Sequence, residues 1–153
     1  MILWTDCIWV GTWCMIVNAE NQILLMKRSQ QSKNQRWYWG LSGWTVEYWE
    51  SFEEATKRET KEELDVEIKI IKLLALTDHI IKEDRQHWVS PTYLAKIVSW
   101  EIKNLEPHKC DELRWFDLDS IPELLTEPAR AAIDEFKERL KLGLYFKEIF
   151  ERI

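Results

Sequence analysis

Apolar and polar positions along this 153-residue chain fall into runs that predict an ordered series of elements. Cys7 to Val17 is apolar and partly β-branched, Asn18-Ala19-Glu20-Asn21 has the composition of a turn, and Gln22 to Lys27 returns as a second strand. The two predict an opening hairpin. Arg28 to Arg36, R-S-Q-Q-S-K-N-Q-R, is a polar surface loop. Ser51 begins a helix, because Glu54 stands three residues later in the S-x-x-E arrangement that satisfies free backbone N–H groups at a helix start. Thr56, Thr60 and Leu64 recur every four residues and predict the inward flank of that helix, with Asp65 as its left-handed exit. Val66 to Ile81 reads as one bent strand or two successive ones, Lys82 to Gln86 as a charged turn, and His87 to Val98 as a strand that Pro91 weakens or moves to an edge or bulge. Ser99 to Asp111 is a loop, and Leu113 to Phe116 a last short strand. Thr126 caps a helix over Ala129 to Leu142, with Pro128 in its first turn; Gly143 breaks it, and Leu144 to Ile153 forms a further amphipathic turn or helix.

Composition narrows the class. The length fits one domain, residues 1–153, and an apolar fraction of 46% is enough for a sizeable core. A formal charge of −6 argues against a general nucleic-acid-binding surface, which would need a basic footprint. No run reaches membrane-spanning length, and the apolar start is interrupted by Asp6 without a cleavage-site pattern, so no membrane partner is expected. Cys7, Cys14 and Cys110 are scattered, which speaks against a zinc site or disulfide framework and suits a reducing cytoplasm. Ten tryptophans against four glycines invert the usual proportion.

The chemistry is concentrated in Gly43 to Val66. Glu59, Glu62 and Glu63 stand three and four apart, so a helix brings their carboxylates to one side. Such an anionic cluster suits a hard cation such as Mg²⁺, which keeps several waters and bridges to substrate phosphates. A solvated acidic helix face is the alternative, and spacing alone leaves both open.

The run resembles the Nudix box: glycine, five residues, Glu, seven residues, Arg-Glu, an aliphatic, any residue, Glu-Glu, any residue, glycine, an aliphatic. Glu50, Arg58, Glu59, Glu62, Glu63 and Val66 fall in register. Trp44 at the leading glycine, Thr60 at the first aliphatic and Asp65 at the late glycine depart from it, and Ser42 replaces a common proline. The resemblance, over roughly Cys7 to Leu142, implies an α/β fold, an α/β/α sandwich around a mixed β-sheet. It implies hydrolysis of a nucleoside diphosphate linked to another group, with Mg²⁺ or Mn²⁺ as cofactor and a small-molecule nucleotide as substrate. By the same resemblance Glu50, Glu59, Glu62, Glu63 and the Gly43 carbonyl would hold metal. Glu62 or Glu63 would help deprotonate water, Arg58 would orient the carboxylates, and Glu112 or Glu106 would supply a further base from a later loop.

The segment Asn104 to Pro122 resembles the closing part of MutT-like nucleotide triphosphatases, which implies that Trp115 or Phe116 would stack on a base and Asp117 read its edge, with core packing as the alternative for the aromatics. Lys27, Arg28, Lys33 and Arg36 either meet phosphates or lie on a solvated loop. Some sixteen to eighteen residues past the box, Ile81 to Arg85 lacks the proline or tyrosine of subfamilies acting on ADP-ribose or dinucleoside polyphosphates. Elimination leaves a nucleoside triphosphate as default substrate. Bulk at Trp44 and Trp49 raises a second reading, a Nudix-fold nucleotide-binding or protein-interaction module of low activity, and a homodimer stays open for either.

Overall fold

Parity along one short strand sets the layers of the molecule. In the computed structural model, which describes residues 7–99 and 101–143, Trp13–Ile16 forms β2. Successive side chains on a strand point to opposite faces. Met15 and Val17 accordingly join one buried cluster, with Ile23, Leu25 and Leu94, while Cys14 and Ile16 join another with Leu24 and Ala95. The C-terminal helix α2 (Glu127–Lys141) covers the first cluster with Ala129, Ala132, Ile133 and Phe136. The helix α1 (Phe52–Leu64) closes the second through Leu64, aided by Val66 and Ile68. Helices on both faces of central strands make the expected α/β sandwich. Fully burying a side chain such as Leu64 or Phe136 contributes about 1.5–3 kcal/mol.

The mixed sheet is centred on β6 (Gln86–Ile97), which pairs antiparallel with β5 (Ile68–Ile81) on one side. On its other side β1 (Ile8–Val10) and β2 pair with it in parallel, one after the other. A second, antiparallel sheet has β3 (Ile23–Arg28) between β4 (Trp39–Gly40) and β7 (Cys110–Phe116). β5 is one continuous strand, bent by register shifts at Ile70/Lys72 and Leu73/Ala75.

Several expectations change. The turn at Asn18 forms, its Oδ1 accepting from the N–H groups of Glu20 and Gln22, but the opening hairpin does not. β2 and β3 share only the bridge Val17↔Ile23 and part into different sheets, because each finds longer ladders elsewhere. Pro91 lies in the central strand, not at an edge or bulge, opposite Leu76 of β5. It falls between the β1 and β2 pairings, where the ladder on that side is already interrupted, so its missing N–H is tolerated. β7 starts at Cys110, earlier than expected, because it follows β3 to Arg28. Thr126 occupies the cap position of α2 without a side-chain cap bond; its side chain is packed against Gly40, where an added Cβ would meet Cγ2 at 3.2 Å. The proposed turn or helix over 144–153 lies outside the described residues.

The break between β1 and β2 is what receives the loop ahead of α1. Thr12 N–H donates to the Trp44 carbonyl at 2.8 Å, Cys14 N–H to Ser42 at 2.8 Å, and Val46 N–H to Val10 at 3.3 Å. Gly43, with φ 137°, threads this contact: a Cβ there would stand 2.1 Å from the Thr12 carbonyl oxygen. No other residue type fits. Among the described residues no helix is long and apolar enough to cross a membrane.

Candidate active site

α1 begins where the local sequence dictates. Ser51 accepts from Glu54 N–H at 3.2 Å and Glu54 returns the bond to Ser51 N–H at 2.8 Å, a complete capping box. The helix leaves through Asp65 at φ 56°, ψ 29°, the left-handed exit, with Asp65 between Lys61 and Lys103 at 3.1 Å each. Along the inward flank Thr12 and Thr56 hydroxyls meet at 2.5 Å, and Thr60, at an aliphatic position, is buried with its hydroxyl bonded to the Thr56 carbonyl at 2.7 Å. That flank fixes the rotation of the helix, and with it the direction of the acids.

Arg58 is the hub of those acids. Its Nε and Nη2 bond Glu50 at 2.8 and 3.0 Å, its Nη1 bonds Glu59 at 2.9 Å and Glu62 at 3.2 Å, and Nη2 also reaches the Thr45 carbonyl at 3.0 Å. Glu50 gives both carboxylate oxygens to this guanidinium, and the bonds hold its pKa below the ordinary carboxylate value. The same partners raise that of Arg58. Glu59 is only 9% exposed; burial pushes its pKa up, Arg58 pulls it back, and Glu62 and Glu106 add repulsion. Glu63 is partly buried and accepts from Ser42 Oγ at 2.5 Å and Gly43 N–H at 3.0 Å on one oxygen. Burial outweighs both bonds and, with Glu59 and Glu106 nearby, raises Glu63 to about 8. A buried Glu59 on Arg58 and a half-buried Glu63 on Ser42 and Gly43 are not the groups of a merely solvated helix face.

These groups border a cavity of about 850 Å³, lined by Gly43, Glu47, Arg58, Glu59, Glu62 and Glu63 and also by Trp13, Trp44 and Trp88. Lys27, Arg28, Lys33, His79, Glu106, His108 and Lys109 also border it. Glu106 arrives because Lys103 and Leu105 N–H groups bond the Leu64 and Glu63 carbonyls at 2.9 Å, docking the 101–106 segment on the end of α1. Lys109 bonds Glu106 at 2.9 Å; burial works against its charge, yet Glu106, Glu63 and Glu59 keep its pKa raised.

Other sequence candidates lie elsewhere. Glu112 is ion-paired with Arg114 on β7, opposite Lys27 in the ladder, and does not border the cavity. Trp115 packs on the second core cluster, Phe116 sits 4.8 Å from Trp39, and Asp117 accepts from Gln22 at 3.0 Å; none borders the cavity. Arg28 reaches the cavity but binds Asn34, and Arg36 bonds the Ser32 carbonyl at 3.0 Å. Trp49 has φ 69° and is 95% exposed, outside the cavity. Trp37 shows φ 65°, another torsion that glycine would take without strain, whereas Trp44 does not have positive φ. The cavity roles of His79, Trp88 and Lys109 carry no local signal, since strands β5 and β6 and the β7 approach meet only in the fold.

Among the described residues, no three carboxylate, imidazole or thiolate groups stand together ready to hold one ion. The donor chemistry nevertheless fits a hard divalent cation, which takes one or two carboxylates together with waters and substrate oxygens rather than an all-protein cage. Glu59, destabilised as an anion by burial and by Glu62 and Glu106, and Glu63, destabilised by burial and by Glu59 and Glu106, are the groups such an ion would stabilise.

The NUDIX domain family matches residues 9–140 of the chain. Among solved structures, a MutT NUDIX hydrolase from Burkholderia pseudomallei is 37% identical with a TM-score of 0.79, covering 85% of this chain and 98% of that one. A MutT protein from Methanosarcina mazei Go1 shares the fold at 21% identity and TM-score 0.76, over 87% and 95% of the two chains. The ADP-ribose pyrophosphatase of Methanocaldococcus jannaschii is 32% identical over 109 residues, 71% of this chain; the match spans 62% of that relative's length. With the box residues gathered around Arg58 at the head of a cavity, and with these likenesses, the chain belongs to the Nudix hydrolase family.

Proposed function

We propose that this protein hydrolyses a phosphoanhydride bond in a nucleoside diphosphate derivative, with a nucleoside triphosphate as first substrate, giving nucleoside monophosphate and pyrophosphate. The observation that carries the reading is the pair Glu59, buried, and Glu63, half-buried, both bordering the cavity and held by Arg58 and by Ser42 and Gly43. Glu59 and Glu63, with the Gly43 carbonyl, would hold Mg²⁺ or Mn²⁺, and Glu62, on Arg58, would reach the ion only through water. Bound there, the ion would neutralise phosphate charge and acidify water.

The protein's own groups divide the remaining work. Water attacks phosphorus, the bond from that phosphorus to the leaving phosphate oxygen breaks, and the water's proton passes to a carboxylate. Glu63 and Glu106, which border the cavity, are the proposed acceptors, with Glu106 preferred to its sequence alternative Glu112. Glu50, with both oxygens on Arg58, is a positioning residue rather than a metal ligand. Lys27, Lys33 and Lys109 supply positive charge toward the phosphates. The name of the Methanocaldococcus jannaschii relative makes ADP-ribose the second substrate to test.

The test is a panel of nucleoside triphosphates and ADP-ribose with Mg²⁺ or with excess chelator, following pyrophosphate, orthophosphate and nucleoside monophosphate separately. Mg²⁺-dependent release of monophosphate is expected. Full turnover in chelator, or no product from any member of the panel, overturns the reading.

A further inference from the structure

Away from the carboxylates, the cavity is walled by indoles from three different parts of the chain: Trp13 on β2, Trp44 after Gly43, and Trp88 on β6. The Trp44 ring lies 5.4 Å from Trp88 at 43° and 6.2 Å from Trp13 at 84°. Trp88 is only 8% exposed, whereas Trp44 remains 46% exposed. The inner rings thus brace an outer ring that core packing does not use up. Bracing fixes the indole in advance, so a flat ligand meets a surface whose ordering has already been met by the fold.

Trp44 is also one peptide link from the phosphate end, since the Gly43 N–H bonds Glu63 and neighbouring α-carbons stand about 3.8 Å apart. A molecule carrying a planar ring one sugar away from a diphosphate would touch both. Gln86 borders the same cavity; its Oε1 accepts from the Trp88 indole N–H at 3.2 Å, leaving its amide NH₂ as the donor for an acceptor on a base edge.

We infer that Trp44, braced by Trp88 and Trp13, is the stacking platform for the nucleobase of the substrate. This rests on the proposal that the carboxylate end takes the phosphates. It moves base recognition from the end of β7, where Trp115 and Asp117 stand off the cavity, to the Trp44 loop that lines it.

The experiment is calorimetric binding of AMP, GMP and UMP, and of ribose 5-phosphate, without divalent metal, so that turnover plays no part. Wild type is compared with Trp44→Ala, Trp44→Phe and Trp115→Ala, each checked for folding by circular dichroism. Trp44→Leu keeps apolar bulk without a ring and replaces the alanine variant if that one melts early. Trp44→Ala is expected to weaken the monophosphates about tenfold or more, Trp44→Phe to retain affinity within about threefold, and Trp115→Ala to change nothing. Ribose 5-phosphate should bind alike to all. Equal weakening of monophosphates and sugar phosphate, unchanged affinity in Trp44→Ala, loss in Trp115→Ala, or no monophosphate binding by wild type each overturns the platform. A protein inert across the Mg²⁺ panel that still loses monophosphates with Trp44→Ala would keep the platform and lose only the hydrolase reading.

Discussion

Ser42 donates its hydroxyl to Glu63 across 2.5 Å, though the two residues are 21 positions apart. The bond favours the ionised carboxylate, as does the Gly43 N–H on the same oxygen, yet burial still raises Glu63 to about 8. Ser42 stands where Nudix boxes are often preceded by proline, which has no side-chain donor. In this chain the residue before Gly43 is part of the electrostatics of the site.

Glu63→Gln keeps shape and an amide oxygen able to accept from Ser42 and Gly43, but removes the charge. Turnover is expected to fall by about two orders of magnitude or more with the fold intact, on the scale of losing a general base or a metal-binding carboxylate. Steady-state rates beside circular dichroism check this; an unchanged rate would move the proton acceptor to Glu106.

Glu63 also links pH to stability. Its folded pKa is raised from 4.5 to about 8, so between those values the folded state binds more protons than the unfolded one. Stability from this group is full below about 4.5 and is lost as pH rises through about 8. In excess chelator, the melting temperature of wild type should decline across this window relative to that of Glu63→Gln. Parallel profiles for the two proteins would show that Glu63 does not titrate there.

Arg58→Lys preserves one charge but not the fork that grips Glu50 through two nitrogens while reaching Glu59, Glu62 and Thr45. A loss of about 1–3 kcal/mol in stability is expected from the stranded acceptors. Activity should fall about tenfold or more. Denaturant titration and kcat/KM report the two effects, and wild-type values in both would show that one ammonium suffices.

Trp49 adopts φ 69° with its indole in solvent, touching Tyr48 edge-on at 5.5 Å. Trp49→Gly relieves a left-handed strain of about 1–2 kcal/mol and costs about 0.5–1 kcal/mol in chain entropy. A net gain of about 0.5–1 kcal/mol in unfolding free energy is expected, with kcat/KM within about twofold because the ring lies off the cavity. A large rise in activity would instead mean that Trp49 obstructs the phosphates.

Local physics made α1 legible without a fold. The Ser51–Glu54 capping box, the four-residue spacing of Thr56, Thr60 and Leu64, and the exit at Asp65 act over distances of a few residues, so sequence alone set the limits of the helix and the side its acids share. Tertiary structure decided what those acids meet. Whether β2 pairs with β3 or β6, whether Pro91 falls beside a gap in the ladder, and whether Glu106 or Glu112 reaches the cavity all depend on contacts between distant segments. The wall of Trp13, Trp44 and Trp88 is of that kind too: its rings come from β2, the box loop and β6, and only the competition among strands for partners brings them together. Hydrogen bonds within one helical turn are written in neighbouring residues, whereas a binding cavity is made by long-range pairing, whose outcome is set by the packing of the whole core.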